Sequence, residues 1–201
     1  MKKIYLYGAS NTDGFDPRGM LKGRYGPEFR FPDVLQHQLG AAWQVVEDGL
    51  NGRKIPQDGF LLDYLLQKLQ AALPLDYVAI MLGTNDVLSR REPDVVVITA
   101  RLEHLCCRLQ EFLQQQGSEA KLLIVTPPPL DAVDEDGEEL GLVMEQLQQA
   151  YVELAARHHW LCADTRSWKL ELSYDGIHLS EQGSKAMGMG VAAFLKMIDD
   201  R

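Results

Sequence analysis

Hydrophobic and polar positions along the chain follow two alternating periods. Short apolar or β-branched runs at Lys3–Tyr7, Trp43–Val46, Tyr77–Leu82, Leu122–Thr126 and Trp160–Ala163 predict five strands. Between them, apolar residues recur at spacings of three and four. Leu61, Leu62, Leu65, Leu66 and Leu69 form one stripe, and Leu102, Leu105, Leu109, Phe112 and Leu113 another. Leu142, Leu147, Tyr151 and Leu154 predict a third helix, and Ala186, Met189, Ala193 and Met197 a fourth. Such stripes read as core faces, because an amphipathic helix must bury one side.

Strands this apolar, alternating with helices, predict a parallel sheet covered on both faces. The expected fold is therefore a three-layer α/β/α arrangement with a five-stranded parallel sheet, in the flavodoxin-like order 2-1-3-4-5. No repeat, low-complexity tract or linker divides the chain, so residues 1–201 are expected to form one domain. Two stretches read as long loops. The first runs from Gly8 to about Pro27, where Gly14, Pro17, Gly19, Gly23, Gly26 and Pro27 argue against an early helix. The second runs from Pro127 to about Leu140 and carries Asp131, Asp134, Glu135, Asp136, Glu138 and Glu139. That acidic cluster reads as a solvated entry to a helix rather than a cation site, since carboxylates favour a helix N-terminus. Both loops follow strand C-termini, the edge where open α/β sheets bind ligands.

Composition narrows the classes. A hydrophobic fraction of 46% fits a globular domain, and no apolar run approaches a membrane span. The apolar stretch Ile4–Tyr7 is too short for a secretory leader, so a cytoplasmic location is expected. A formal net charge of −9 argues against nucleic acid as a partner. Cys106, Cys107 and Cys162 make no set of pairs and lack metal-ligand spacing, so neither a disulfide framework nor a zinc site is expected.

Four short segments carry candidate chemistry. Ser10 in Gly8-Ala9-Ser10-Asn11-Thr12 ends the first strand, where a hydroxyl can project into a cleft. Asp175 and His178 in Asp175-Gly176-Ile177-His178 stand three residues apart before the last helix, so the acid can orient the imidazole and leave its other nitrogen free. His37, His104, His158 and His159 lie in helical segments or at a helix end and are poorer bases. Asn85 in Gly83-Thr84-Asn85-Asp86 offers a side-chain amide after the third strand. Gly49 in Asp48-Gly49-Leu50-Asn51-Gly52-Arg53 allows a backbone N–H to approach a ligand after the second. Each segment alone also reads as an ordinary turn. Their joint placement on one predicted edge supplies a nucleophile, an acid–base pair and two oxyanion donors.

In this order the four segments resemble the blocks of the SGNH/GDSL hydrolases, over positions 8 to 178. The resemblance implies cleavage of carboxylic esters through an acyl-serine, with no cofactor. Ser10 would be the nucleophile, His178 its base and Asp175 the orienting acid. The N–H groups of Ser10 and Gly49 and the amide of Asn85 would form the oxyanion hole. Gly14-Phe15-Asp16-Pro17-Arg18-Gly19 resembles small bacterial arylesterase and acyltransferase members, some of which are oligomers, so a small-molecule ester substrate and self-association are expected. The family usually has aspartate where this chain has Ala9, which predicts a looser serine loop or lower activity. Three other readings compete: a weakened scaffold that binds acyl or glycan groups, an acyltransferase, and a flavin module. The last fits worst, because its phosphate loop needs a helix directly behind it.

Overall fold

In a computed structural model, which describes residues 1–19, 23–89, 93–133 and 139–199, the five strands pair throughout in parallel. They are β1 (Lys2–Gly8), β2 (Trp43–Gly49), β3 (Tyr77–Met81), β4 (Lys121–Val125) and β5 (Leu161–Ala163), in the order β2-β1-β3-β4-β5. This is the 2-1-3-4-5 order expected from the pattern. The described helices are α1 (Ser10–Asp13), α2 (Phe31–Leu39), α3 (Phe60–Ala72), α4 (Thr84–Leu88), α5 (Val95–Gln115), α6 (Leu140–His158) and α7 (Glu181–Asp199). None among the described residues is long and apolar enough to cross a membrane.

Alternate residues of β1 sort the helices into layers, because successive strand side chains point to opposite faces. Tyr5 and Tyr7 enter a core with Leu62, Leu65 and Leu69 of α3, Leu102 and Leu105 of α5, and Met144 and Tyr151 of α6. Ile4 and Leu6 enter the opposite core with Phe31 and Leu35 of α2 and Met187 and Val191 of α7.

Helix phases depart from the predicted stripes in places. Leu61, Leu142, Met189 and Met197 are exposed rather than core. In α7 the inward face is Gly188, Val191 and Leu195, turned from the expected stripe toward α2. Gly188 decides that rotation: a Cβ there would lie 2.7 Å from the Phe31 carbonyl oxygen, so only glycine allows this close approach. A glycine has no apolar side chain to register in a hydrophobic pattern.

The first loop also differs from expectation. A single helical turn, α1, follows β1 immediately and stops at Gly14, whose φ of 82° is left-handed. In the second loop Asp131 and Glu139 are exposed, while Asp134, Glu135, Asp136 and Glu138 lie outside the described residues.

Strand register sets the functional edge. Gly8 pairs with Gly49 and with Met81, so β1, β2 and β3 end level with one another. The segments after all three strands therefore emerge side by side.

Candidate active site

Ser10 opens α1 and is buried at the end of β1. Its Oγ lies 3.0 Å from Nε2 of His178, and Nδ1 of His178 lies 2.6 Å from Oδ2 of Asp175. Oδ1 of Asp175 accepts from the backbone N–H groups of Ile177 and His178, each at 3.0 Å. Burial pushes the Asp175 carboxyl up, but these hydrogen bonds outweigh it and hold the group below the ordinary carboxylate value. An ionised carboxylate only accepts, so Nδ1 carries the imidazole proton and Nε2 presents a lone pair to the Ser10 hydroxyl. Phe15 packs on the ring, with centroids 4.7 Å apart.

Other contacts hold the serine loop in register. Oδ1 of Asn11 accepts from the Leu179 N–H at 2.9 Å, joining the loop to the chain after His178. The Ala9 carbonyl accepts from the N–H groups of Thr12 and Asp13, at 3.1 and 2.9 Å. Ala9 itself is buried in the apolar core and offers α1 no side-chain cap. The loop thus has anchors that need no aspartate at position 9.

The segment after β2 is clamped from below. Asp48 is buried and receives Tyr5 Oη at 2.5 Å, Lys68 Nζ at 2.9 Å and Arg53 Nη2 at 2.8 Å. Burial acts to raise its carboxyl, yet the hydrogen bonds from Tyr5, Arg53 and Lys68 hold it below the ordinary value. Arg53 also donates to the carbonyls of Gly8, at 2.8 Å, and Asp48, and its guanidinium lies 4.1 Å above the Tyr7 ring. The Arg53 carbonyl accepts from Nδ2 of Asn85 at 3.0 Å, which ties the segment after β3 to the segment after β2. Asp86 adds a second tie, its Oδ2 accepting from the Ile55 N–H at 3.1 Å.

Ser10, Phe15, Asn51, Gly52, Asn85 and His178 face one cavity of 280 Å³. Leu88 and Ile177 complete its apolar wall. Of the five residues singled out in the sequence, Ser10, Asn85 and His178 line this cavity, and Asp175 stands behind His178. Gly49 does not line it. Its N–H points to Glu47 Oε1 at 3.2 Å, and a Cβ there would sit 2.3 Å from the backbone nitrogen of Asp13. Gly49 is a packing glycine under α1. Three residues on, Gly52 lies on the cavity with φ of 74° and open space around its Cα. No described residue accepts from its N–H. The Asn-Gly dipeptide at 51–52 marks a turn in the sequence and was the available signal for it.

The GDSL-like lipase/acylhydrolase family model matches residues 6–186, nearly the whole chain. The chain belongs to that family. This GDSL-like hydrolase is accordingly a carboxylic ester hydrolase, and its α/β fold recurs among solved structures. A candidate arylesterase of Agrobacterium tumefaciens str. C58 is 31% identical, with a TM-score of 0.85 over 98% of this chain and 100% of that one. The M. smegmatis aryl esterase is 29% identical, with a TM-score of 0.83 over 98% and 99%. Est24, a carbohydrate acetylesterase from Sinorhizobium meliloti, is 25% identical, with a TM-score of 0.86 over 98% and 100%. No curated protein matches the GDSL-like hydrolase. Burial pushes the Cys162 thiol up to about 12 and raises the Cys106 thiol as well.

Proposed function

We propose that the protein hydrolyses small carboxylic esters through an acyl-Ser10 intermediate. The observation that carries this reading is the unbroken chain from Ser10 Oγ to His178 Nε2, at 3.0 Å, and from Nδ1 to Asp175, at 2.6 Å. Nε2 takes the hydroxyl proton as Oγ bonds to the ester carbonyl carbon. The imidazolium, stabilised by Asp175, then returns that proton to the departing alkoxide. Water repeats the sequence on the acyl-serine, releasing the acid and restoring the hydroxyl. The carbonyl oxygen gains negative charge in each tetrahedral intermediate. The N–H groups of Ser10 and Gly52 and the free amide hydrogen of Asn85 are the donors for it. Gly52 replaces Gly49 in this role, because only Gly52 borders the cavity.

Arylesterase and carbohydrate acetylesterase neighbours support esters of aryl or sugar alcohols as the substrate class. The cavity of 280 Å³ beside Ser10 has room for the ester carbonyl and the first carbons of the acyl group. Rapid mixing with p-nitrophenyl acetate tests the reading. A burst of p-nitrophenol equal to the enzyme concentration is expected, and Ser10→Ala should lose both burst and turnover. Turnover that survives Ser10→Ala would overturn the assignment.

A further inference from the structure

Leu61 shares the apolar spacing of the α3 core residues yet is 62% exposed. Phe60 at 79%, Tyr64 at 49% and Leu50 at 56% stand exposed with it. Together they wall a cleft of 820 Å³ between the chain around residues 50–58 and the first turns of α3. Its inner surface includes the buried Ile55 and Leu65. Lys54 on its lining is exposed, whereas the other charged groups are engaged within the protein. Arg53 bonds Asp48 at 2.8 Å, Arg101 lies 3.6 Å from Asp86, and Asp58 pairs with His104 at 3.0 Å. Most of the surface left to a ligand is therefore apolar, in the size range of ~300–1,000 Å³ that cofactor and drug-sized ligands occupy.

The cleft and the Ser10 cavity share Asn51 and Gly52 as a common rim. It touches neither Phe15, Ile177 nor His178. That placement matters for the chemistry proposed above, on which this inference rests. The leaving oxygen must sit where His178 Nε2 can protonate it, so the alcohol half of the ester lies on the His178 side. The groove that continues from Ile177 on that side carries Asp131, Glu139 and Glu145 among Leu130, Val133 and Leu142, a mixed lining that suits a polar alcohol better than the apolar α3 cleft does. The acyl half points away from His178, toward the Asn51–Gly52 rim and the apolar cleft behind it.

We infer that the α3 cleft is the acyl-group subsite and takes a medium-length, uncharged acyl chain that crosses the Asn51–Gly52 rim. An acetyl group ends inside the Ser10 cavity, whereas a hexanoyl or octanoyl group reaches the wall formed by Phe60, Leu61 and Tyr64. Each methylene buried there should raise kcat/KM by about two- to fourfold.

The experiment is a series of p-nitrophenyl esters from acetate to octanoate, measured on the parent, Leu61→Glu and Tyr64→Glu. Both substituted positions are exposed, and thermal melts check that each variant folds. For the parent, kcat/KM is expected to rise with chain length. Either substitution should lower the hexanoate-to-acetate ratio by about tenfold or more, because a carboxylate then faces the chain. A flat or falling series for the parent, or an unchanged ratio in both variants, overturns the subsite. Sedimentation velocity on the same samples adds one outcome: a changed oligomeric state with an unchanged ratio makes this face a contact between copies of the chain, and also overturns it. Ser10-dependent acetate turnover with a flat series defeats only the subsite. Absence of turnover on every ester defeats the hydrolase mechanism and the subsite together.

Discussion

The side-chain amide of Asn85 donates to the main-chain carbonyl of Arg53 at 3.0 Å. One amide hydrogen is thereby spent on fixing the group, and the other is left for the cavity. Asn85→Ala should lower kcat for p-nitrophenyl acetate by about 10²–10³ with a smaller change in KM, since the donor matters most when negative charge develops. A large rise in KM at constant kcat would instead make Asn85 a ground-state binding residue.

Arg53 acts at one remove, holding the turn that carries Gly52 and the carbonyl that receives Asn85. Arg53→Lys keeps the charge but loses the forked grip on Asp48 and the Gly8 carbonyl. It should lower kcat more than it raises KM. Arg53→Ala should in addition cost about 1–3 kcal/mol in urea unfolding, because buried Asp48 loses a charged partner while keeping Tyr5 and Lys68. Unaltered kcat in both variants would show that the turn holds its shape without the clamp.

Gly49 and Gly52 should separate under the same substitution. Gly49→Ala drives a Cβ into the Asp13 backbone, 2.3 Å away, so it should destabilise the fold markedly. Gly52→Ala has open space and meets only the cost of a left-handed residue, about 1–2 kcal/mol. Its larger effect should fall on kcat. Melting temperature and turnover measured together distinguish the two, and a reversed pattern would return the oxyanion role to Gly49.

Acid should act on the site through Asp175. Its carboxyl is held below the ordinary value in the folded chain, so its pairing with His178 stabilises the fold at neutral pH. That contribution is lost as pH falls through the folded value. Asp175→Asn should therefore be less stable than the parent at pH 7, with the gap closing below about pH 4, near the ordinary aspartate value. The same variant should lose turnover by orders of magnitude at neutral pH, because an amide can donate to Nδ1 and favour the wrong tautomer. Parent turnover should fall reversibly on acidification, by about tenfold per pH unit on the acid side, as a protonated imidazole cannot accept from Ser10. Urea titrations from pH 2 to 8 and a pH–rate profile read both effects.

Much of this architecture is legible in the sequence, and the exceptions have identifiable causes. Strands buried on both faces announce themselves as apolar runs, and a parallel sheet in the expected order puts the segments after β1, β2 and β3 on one edge. Ser10, Asn85, Asp175 and His178 stand out because strand ends and the entry to α7 share one edge. Helix rotation was less legible. Leu61 fits a core period but lies one position off the face that carries Leu62, Leu65 and Leu69, and it faces the cleft instead. The α7 stripe missed because glycine packing against α2 sets its phase. Gly49 and Gly52 look alike in a string of letters. What separates them is the position of α1, a long-range packing fact. Ala9 suggested a loosened serine loop, yet the anchors at Asn11 and at the Ala9 and Gly8 carbonyls are backbone-mediated or distant in sequence.

Covalent capture tests the central assignment most directly. The parent and Ser10→Ala would each be incubated with an alkyl fluorophosphonate and followed by intact-protein mass and peptide mapping. A single adduct on Ser10 is predicted, formed in step with the loss of ester turnover and absent from Ser10→Ala. An adduct on another residue accompanying that loss, or ester turnover that persists after Ser10 is fully modified, would contradict the assignment of Ser10 as nucleophile.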